Sequence, residues 1–242
     1  MSNLEICCKT DVGIKRAVNE DSLLAVKFGE TNLLAIADGL GAHAAGEVAS
    51  KVALIEIEAF LRVNLYKEEN FRDTLRGAID KANREIYLLS KENLAYKGMG
   101  STLVAAVFTQ NKVLIANIGD CRAYMIGDEI KQITKDHSLV RELVDMKAIT
   151  EEEAFNYPQK NIVTRALGME SKVQPDLYEA ELAGRILLLC SDGLINALRD
   201  YEILQSLAGS VSLDETCTRL IDLANEKGGE DNISVILARE AA

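Results

Sequence analysis

Apolar residues along this chain follow two rhythms. In one they form short unbroken runs, such as Leu33-Leu34-Ala35-Ile36-Ala37, Val113-Leu114-Ile115-Ala116-Asn117-Ile118, Ile186-Leu187-Leu188-Leu189-Cys190 and Ile233-Ser234-Val235-Ile236-Leu237. Runs of this length bounded by Gly, Asn and Asp predict buried strands. Strands are predicted at 5–9, 22–26, 32–37, 102–108, 112–118, 122–126, 129–133, 172–179, 185–190 and 232–238. The segment 113–124 predicts a meander. The second rhythm has helical period. Phe71, Leu75, Ala78, Ile79, Ala82, Ile86 and Leu89 recur at i, i+3, i+4 with charges between them, and Val48, Val52, Ile55 and Ala59 do so over 46–63. A third helix is predicted around Leu213, Cys217, Leu220, Ile221 and Ala224, and a short one through Leu194, Leu198 and Ile203. The region 138–162 predicts small helices in a surface excursion, with Thr150 and Glu153 spaced as a capping box. Strands grouped in runs, with helices inserted in pairs, argue for an α+β or layered sandwich rather than βαβ units.

The acids sit where the strand runs stop. Asp38-Gly39 and Asp192-Gly193 close two of them, Gly119-Asp120 follows a third and Asp231-Asn232 leads into a fourth. A single Asp-Gly is most simply a turn. Four carboxylates at strand ends, in a chain with 2 histidines, suggest an oxygen-lined site for hard cations such as magnesium or manganese rather than zinc. Glu20 and Asp21 follow a glycine-containing segment, and Arg16 beside them has the fork geometry of a phosphate donor. Paired hard cations are a known arrangement for in-line attack of water on phosphorus.

Composition narrows the field. The 242 residues, 48% apolar, suffice for one large core, and no repeat or Pro/Gly-rich linker divides them. A formal net charge of -11 without a basic stripe argues against nucleic acid as partner. No apolar stretch approaches the roughly 20 residues that span a bilayer. The first residues lack the pattern of a signal peptide, so a cytoplasmic location without membrane insertion is expected. Absence of coiled-coil heptads sets a monomer as the default. Of the 5 cysteines none forms a C-x-x-C pair; Cys190 reads as core, and Cys7-Cys8 as strand packing rather than a redox pair.

Taken together, Gly13 to Ser22, Ile36 to Ser50, Gly100-Ser101-Thr102, Asn117 to Arg122, Thr134-Lys135-Asp136-His137-Ser138, Asn161 to Gly168, Leu189 to Leu194 and Gly229 to Ile233 resemble the metal-dependent type 2C protein serine/threonine phosphatases in their compact bacterial form. The likeness runs over essentially the whole chain. It implies a four-layer α-β-β-α sandwich of two antiparallel sheets flanked by helices, one catalytic domain over 1–242, and a flap at about 138–162 beside the active site. It implies that Asp38 bridges two metals with the Gly39 carbonyl contributing, that Asp192 and Asp231 complete one site, and that Glu20 holds the other mainly through water. Arg16 would bind the substrate phosphate, and Asp120 with Asp192 would match the ligands of a third, weaker metal. Asp21 and Asn232 are expected behind these ligands. A hydroxide held between the metals would attack phosphoserine or phosphothreonine, opposing a Ser/Thr kinase and acting on phosphorylated proteins.

Departures bear on chemistry. Leu40 stands where many eukaryotic relatives place a histidine after the bridging Asp-Gly, so protonation of the leaving group falls to water. His43 reads as structural, His137 as a local hydrogen-bonding residue and Asp136 as a residue that positions the flap. Ala42 and Tyr157-Pro158 replace a family glycine and His-Pro without removing a ligand. Glu56, Glu58 and Glu151 to Glu153 read as solvated helix faces. Two alternatives stand beside the enzyme reading: a catalytically weak pseudo-phosphatase that binds phosphoproteins, and a phosphatase dedicated to a regulator of the anti-sigma-factor type.

Overall fold

The unbroken apolar runs become strands because both faces of each sheet are covered. A computed structural model describes residues 4–41, 45–64, 70–109, 112–207 and 212–241. One antiparallel sheet contains β1 (Leu4–Asp11), β7 (Arg122–Ile126), β8 (Ile130–Gln132), β10 (Ile186–Cys190) and β11 (Ile233–Glu240), in the order β1-β11-β10-β7-β8. The other runs β2 (Asp21–Phe28), β3 (Thr31–Leu40), β5 (Leu103–Phe108), β6 (Val113–Ile118) and β9 (Asp176–Ala180), with the short β4 (Gly100–Ser101) paired to the end of β3. Helices α1 (Ala45–Asn64) and α2 (Phe71–Glu92) cover the second sheet. Helices α5 (Asp192–Ala197), α6 (Asp200–Leu207) and α7 (Leu213–Glu226) cover the first. This is the expected α-β-β-α sandwich, in the α+β class.

Alternation along each strand divides its side chains between two cores. Leu33, Ala35 and Ala37 of β3 pack with α1 and α2. Leu34 and Ile36 turn the other way, into a layer shared with Leu187, Leu189 and Ile236 of the opposite sheet. Antiparallel sheets often leave one face to water; here neither face is free, and period-two alternation disappears from the sequence. The outer layers are built by amphipathic helices with local caps. Asn70 accepts hydrogen bonds from the Arg72 and Asp73 amides at the start of α2, and Ser212 accepts one from Glu215 at the start of α7.

Several elements differ from the sequence reading. The segment 113–124 is not a meander: β6 and β7 belong to different sheets, and Gly119-Asp120-Cys121 carries the chain from one to the other. Gly119, at φ +97°, makes that turn. The strand expected at 172–179 begins only at Asp176, after Pro175. The short helix after Gly193 is two helices, broken at Leu198-Arg199. Asp38 lies within β3 rather than at its end, because β4 extends the pairing through Gly39 and Leu40. The excursion does hold α3 (Leu139–Asp145) and α4 (Glu151–Phe155), and the Thr150–Glu153 capping box is formed in both directions. Its glutamates are more than a solvated face: Glu151 pairs with Arg141 at 2.8 Å and Glu152 with Arg199 at 2.6 Å.

The layer between the sheets has no solvent route for relaxation. Ile115→Ala is expected to cost about 2–5 kcal/mol, the range for deleting a large aliphatic side chain from a packed core, read as a lower midpoint in urea unfolding with an unchanged slope.

Candidate active site

At one end of the sandwich four segments converge, and backbone hydrogen bonds set their spacing. The first is the pair β2–β3, which places Asp21 directly opposite Asp38. Asp38 is further fixed from the other side: its amide donates to Thr102 Oγ1 at 3.1 Å, and its carbonyl accepts from the Thr102 amide at 2.8 Å and Ser101 Oγ at 3.1 Å. Next to it Gly39 lies against the first turn of α1. A Cβ there would come within 2.0 Å of the Gly46 carbonyl oxygen, so no side chain fits. The same close approach brings Glu20 to the helix start, where a Cβ on Gly46 would come within 2.6 Å of its Oε1.

The second segment is the loop before β11. Asn232 there uses its whole side-chain amide: Oδ1 accepts from the Glu20 amide at 2.8 Å, and Nδ2 donates to the Val12 and Val18 carbonyls at 2.8 and 3.0 Å. The Gly229 carbonyl accepts from Ile14 and Lys15 at 2.8 and 3.0 Å. These contacts lay 12–20 across 229–232 and bring Arg16 Nη2 to 2.7 Å from Asp231 Oδ2. Asn232 is therefore the clamp of the Arg16 loop, a role that its position beside Asp231 did not reveal in sequence.

The third segment is the turn into α5. Ser191 Oγ donates to Asp21 Oδ2 at 2.8 Å, and Asn196 Nδ2 reaches Asp192 Oδ2 at 3.0 Å. The fourth is the sheet crossover, where the Gly119 amide donates to His137 Nδ1 at 3.0 Å and the His137 amide donates back to the Gly119 carbonyl at 2.8 Å. His137 thus shapes the turn that presents Asp120, with its Nε2 facing Asp176 at 3.3 Å. It is the local hydrogen-bonding residue expected. Asp136 is held by Arg122 at 2.7 Å and by Gln132 at 2.8 Å, which anchors it to the sheet rather than to the flap. Ala42 and His43 lie outside the described residues.

Negative charge dominates what results. Burial raises the carboxyl of Asp38 far above the usual range, and the charges of Asp21, Asp192, Asp120 and Asp231 push it further. Asp192 is raised for the same reasons, first burial and then Asp120 and Asp231. Burial, opposed by hydroxyl donors, sets Asp21 at about 6, and burial with Asp136 sets Asp120 at about 7. Glu20 Oε1, Asp21 Oδ1 and Asp120 Oδ1 are buried without any hydrogen-bond partner. Buried carboxylate oxygens demand a donor or a cation. Among the described residues no three acids, histidines or cysteines are drawn together as a finished metal shell. The donor chemistry nonetheless fits hard divalent cations: oxygen only, anionic and partly unpaired.

Beside Asp120 and Asp192 opens a cavity of about 550 Å³ between the flap and α5–α6, lined also by Ser138, Phe155, Lys160 and Arg199. Phe155 of the flap is covered by the Arg199 guanidinium at 3.6 Å and by Lys160 Nζ at 5.2 Å. The sequence reading assigned roles to the acids and Arg16; Thr102 and Ser191 stood within its motif segments without a role, and Phe155 was not singled out, because their partners lie far along the chain.

A family model described as protein phosphatase 2C matches residues 14–238. The chain is 40% identical over 234 residues to serine/threonine phosphatase stp of Listeria monocytogenes, covering 95% of this chain and 93% of that one. Its structure superposes on serine/threonine phosphatase Stp1 from Staphylococcus aureus with a TM-score of 0.94 at 39% identity, covering 100% of this chain and 96% of the other. The catalytic domain of the serine threonine protein phosphatase PstP, solved in complex with 2 manganese ions, gives a TM-score of 0.86 at 39% identity, over 97% of both chains.

The clamp is open to test. Asn232→Ala strands one amide and two carbonyls, so a loss of about 1–3 kcal/mol is expected. Hydrogen exchange at the Glu20 amide should accelerate while exchange within β5 and β6 stays unchanged; a protected Glu20 amide in the variant would show that something else holds the loop.

Proposed function

This chain belongs to the protein phosphatase 2C family and is a serine/threonine phosphatase, and from that premise we propose a metal-dependent hydrolysis of phosphoserine and phosphothreonine at the four-segment site. The observation that carries the proposal is the buried acidic cluster with partnerless oxygens beside a half-exposed arginine. Asp38, with the Gly39 carbonyl, would bridge two cations; Asp192 and Asp231 would complete one site and Glu20 the other; Asp120 with Asp192 would take a third. Bound there, manganese or magnesium supplies Lewis-acid charge and lowers the pKa of water toward neutrality. That PstP is solved with 2 manganese ions supports the choice of metal.

The chain's own groups orient and exclude. Arg16 is tied to Asp231 through Nη2, which aims its remaining donors at an incoming phosphate. Asp21 is fixed behind Asp38 by the Ser191 hydroxyl, and Asn232 holds the Arg16 loop in register. Among the described residues no histidine stands ready as proton donor to the leaving oxygen: Leu40 is apolar, and both ring nitrogens of His137 are engaged by the Gly119 amide and by the Arg165–Asp176 pair. With Leu40 after Asp38-Gly39, the leaving oxygen would take its proton from water. A cysteine nucleophile is disfavoured too, since burial raises the Cys121 thiol far above its usual range and the Cys190 thiol to about 12.

The same reading assigns the wider role. The chain acts as one catalytic domain whose flap, 138–162, borders the cavity where substrate is selected. Its substrates are phosphorylated proteins, and it opposes a Ser/Thr kinase as a monomer in the cytoplasm. No described helix is long and apolar enough to cross a membrane. Loss of the core carboxylates would mark a pseudo-phosphatase, and the sequence retains every acid the resemblance names.

Purified protein is expected to hydrolyse para-nitrophenyl phosphate and a phosphothreonine peptide with manganese or magnesium, and to stop with chelator. Asp192→Asn should lose more than the roughly 10- to 100-fold that removal of a group behind a metal ligand costs; unchanged turnover would remove Asp192 from the site. A second readout is independent of turnover. Manganese at about 100 times its dissociation constant should add about 2.7 kcal/mol of stability by mass action, seen as a higher melting temperature. In Asp192→Asn that increment should shrink while the metal-free protein melts no lower, because the substitution relieves repulsion. A melting temperature indifferent to manganese in the parent protein would refute the metal assignment.

A further inference from the structure

Three exposed cations and one acid line a second cavity, of about 630 Å³, between α2 and the loop that leads into β9. Arg76, Asp80 and Arg84 follow each other at four-residue spacing and so form one stripe of α2, while Lys172 rises from the facing loop. In a chain of net charge -11 this local excess of positive charge is an exception. Two of the three are unspent: among the described residues the Arg84 and Lys172 side chains have no hydrogen bond or ion pair, while Arg76 pairs with Asp73 at 3.8 Å.

The groove is preformed. Its floor is Asn83, 1% exposed, whose Oδ1 accepts from the Gly168 amide at 2.8 Å and whose Nδ2 donates to the Glu170 carbonyl at 3.1 Å. Val173 packs into the core beneath α2, and Pro175 restricts the loop at its other end. The adjoining Leu167 pairs with Ser101 in both directions, and Ser101 Oγ donates to the Asp38 carbonyl. One hydrogen-bonded framework thus supports both the groove and the catalytic strand.

We propose that this groove docks an acidic segment of the phosphoprotein substrate, outside the catalytic pocket. Geometry favours a peptide over a lone anion. Arg76 and Arg84 are eight residues apart on a helix, about 12 Å along its axis, too far to converge on one phosphate. An extended chain covers that distance in about four residues, so carboxylates at spaced positions meet the cations in turn. A rigid groove with unpaired cations loses little on binding. The proposal rests on the phosphatase reading for the identity of its ligand, and its test is arranged so that the two fail separately.

The probe is a fluorescein-labelled Asp/Glu-rich peptide of about eight residues without phosphate, followed by anisotropy against the full chain and against R76E/R84E/K172E. Exposed charge pairs contribute up to about 1 kcal/mol each, so the triple reversal should weaken binding about tenfold or more, and 0.3 M salt should weaken binding to the parent protein. A phosphothreonine peptide extended by the same acidic segment should show a KM raised about tenfold in the variant with kcat unchanged. The unextended peptide and para-nitrophenyl phosphate should be processed equally by both proteins, which also reports an intact fold. Equal affinity of parent and variant for the acidic peptide overturns the proposal, as does displacement of that peptide by millimolar inorganic phosphate. A parent protein that binds the peptide through these residues yet never hydrolyses phosphate with any metal would keep the groove and refute the catalytic reading.

Discussion

Everything at the active end of this molecule answers to one constraint: the mutual repulsion of carboxylates held in a poorly hydrated place. Burial raises the proton affinity of Asp21, Asp38, Asp120 and Asp192, and neighbouring carboxylates, Asp231 among them, raise it further. Left to side-chain forces the cluster would spread or turn toward water. It does not, because each acid is placed by backbone hydrogen bonds that do not depend on its charge. Asp38 is locked between β2 and the Ser101-Thr102 step, Asp120 by the Gly119–His137 exchange, Asp192 by the first turn of α5 and Asp231 by the loop that Asn232 ties to Val12, Val18 and Glu20. Stability is given up locally, and on the proposed reading this makes affinity for cations available, a trade found where function breaks the rules of packing.

The rest of the fold makes that trade tolerable. Three apolar layers, two under helices and one between the sheets, absorb the destabilisation. Close packing of β3 against α1 matters twice. It buries small residues such as Ala35, Ala37, Ala49 and Ala53, and it lets Gly39 and Gly46 touch backbone to backbone, which delivers the start of α1 to Glu20. Core packing and site assembly here are one geometric fact seen from two ends of a strand.

That coupling explains which features sequence could reveal. Nearly every strand and helix and the acids themselves were legible, because apolar period and polar punctuation are local signals, whereas the order of the four layers came from the family resemblance. The crossover at Gly119-Asp120-Cys121 was not. A turn between two apolar strands looks the same whether the second strand joins the same sheet or the opposite one, and only packing of Ala123 and Met125 across the interface decides. Gly100-Ser101 escaped for a related reason: two residues have no period, and they form a strand only because Gly39 and Leu40 lie alongside. Asn232 was noticed but underrated, since its three partners lie more than two hundred positions earlier in the chain.

An acidic enzyme acting on anionic substrates faces a long-range penalty as well as a local one, and the distribution of its cations addresses both. Pairwise attraction between exposed charges fades beyond about 10 Å in physiological salt, so net charge matters less to an arriving phosphoprotein than the sign of the surface it first meets. Arg16 stands half-exposed at the acidic cluster, Lys160 and Arg199 face the adjoining cavity, and Arg76, Arg84 and Lys172 line the groove beside α2. Some of these are partly neutralised, Arg16 by Asp231 and Arg199 by Glu152, as Arg122 is by Asp136 and Arg141 by Asp145 and Glu151, whereas the Arg84 and Lys172 side chains have no ion pair among the described residues. Leaving cations unpaired costs little at an exposed position, and it reserves them for an incoming anion. On the proposed reading these exposed cations do what net charge cannot: they would give an acidic protein attractive surfaces for a phosphate and for the acidic chain around it.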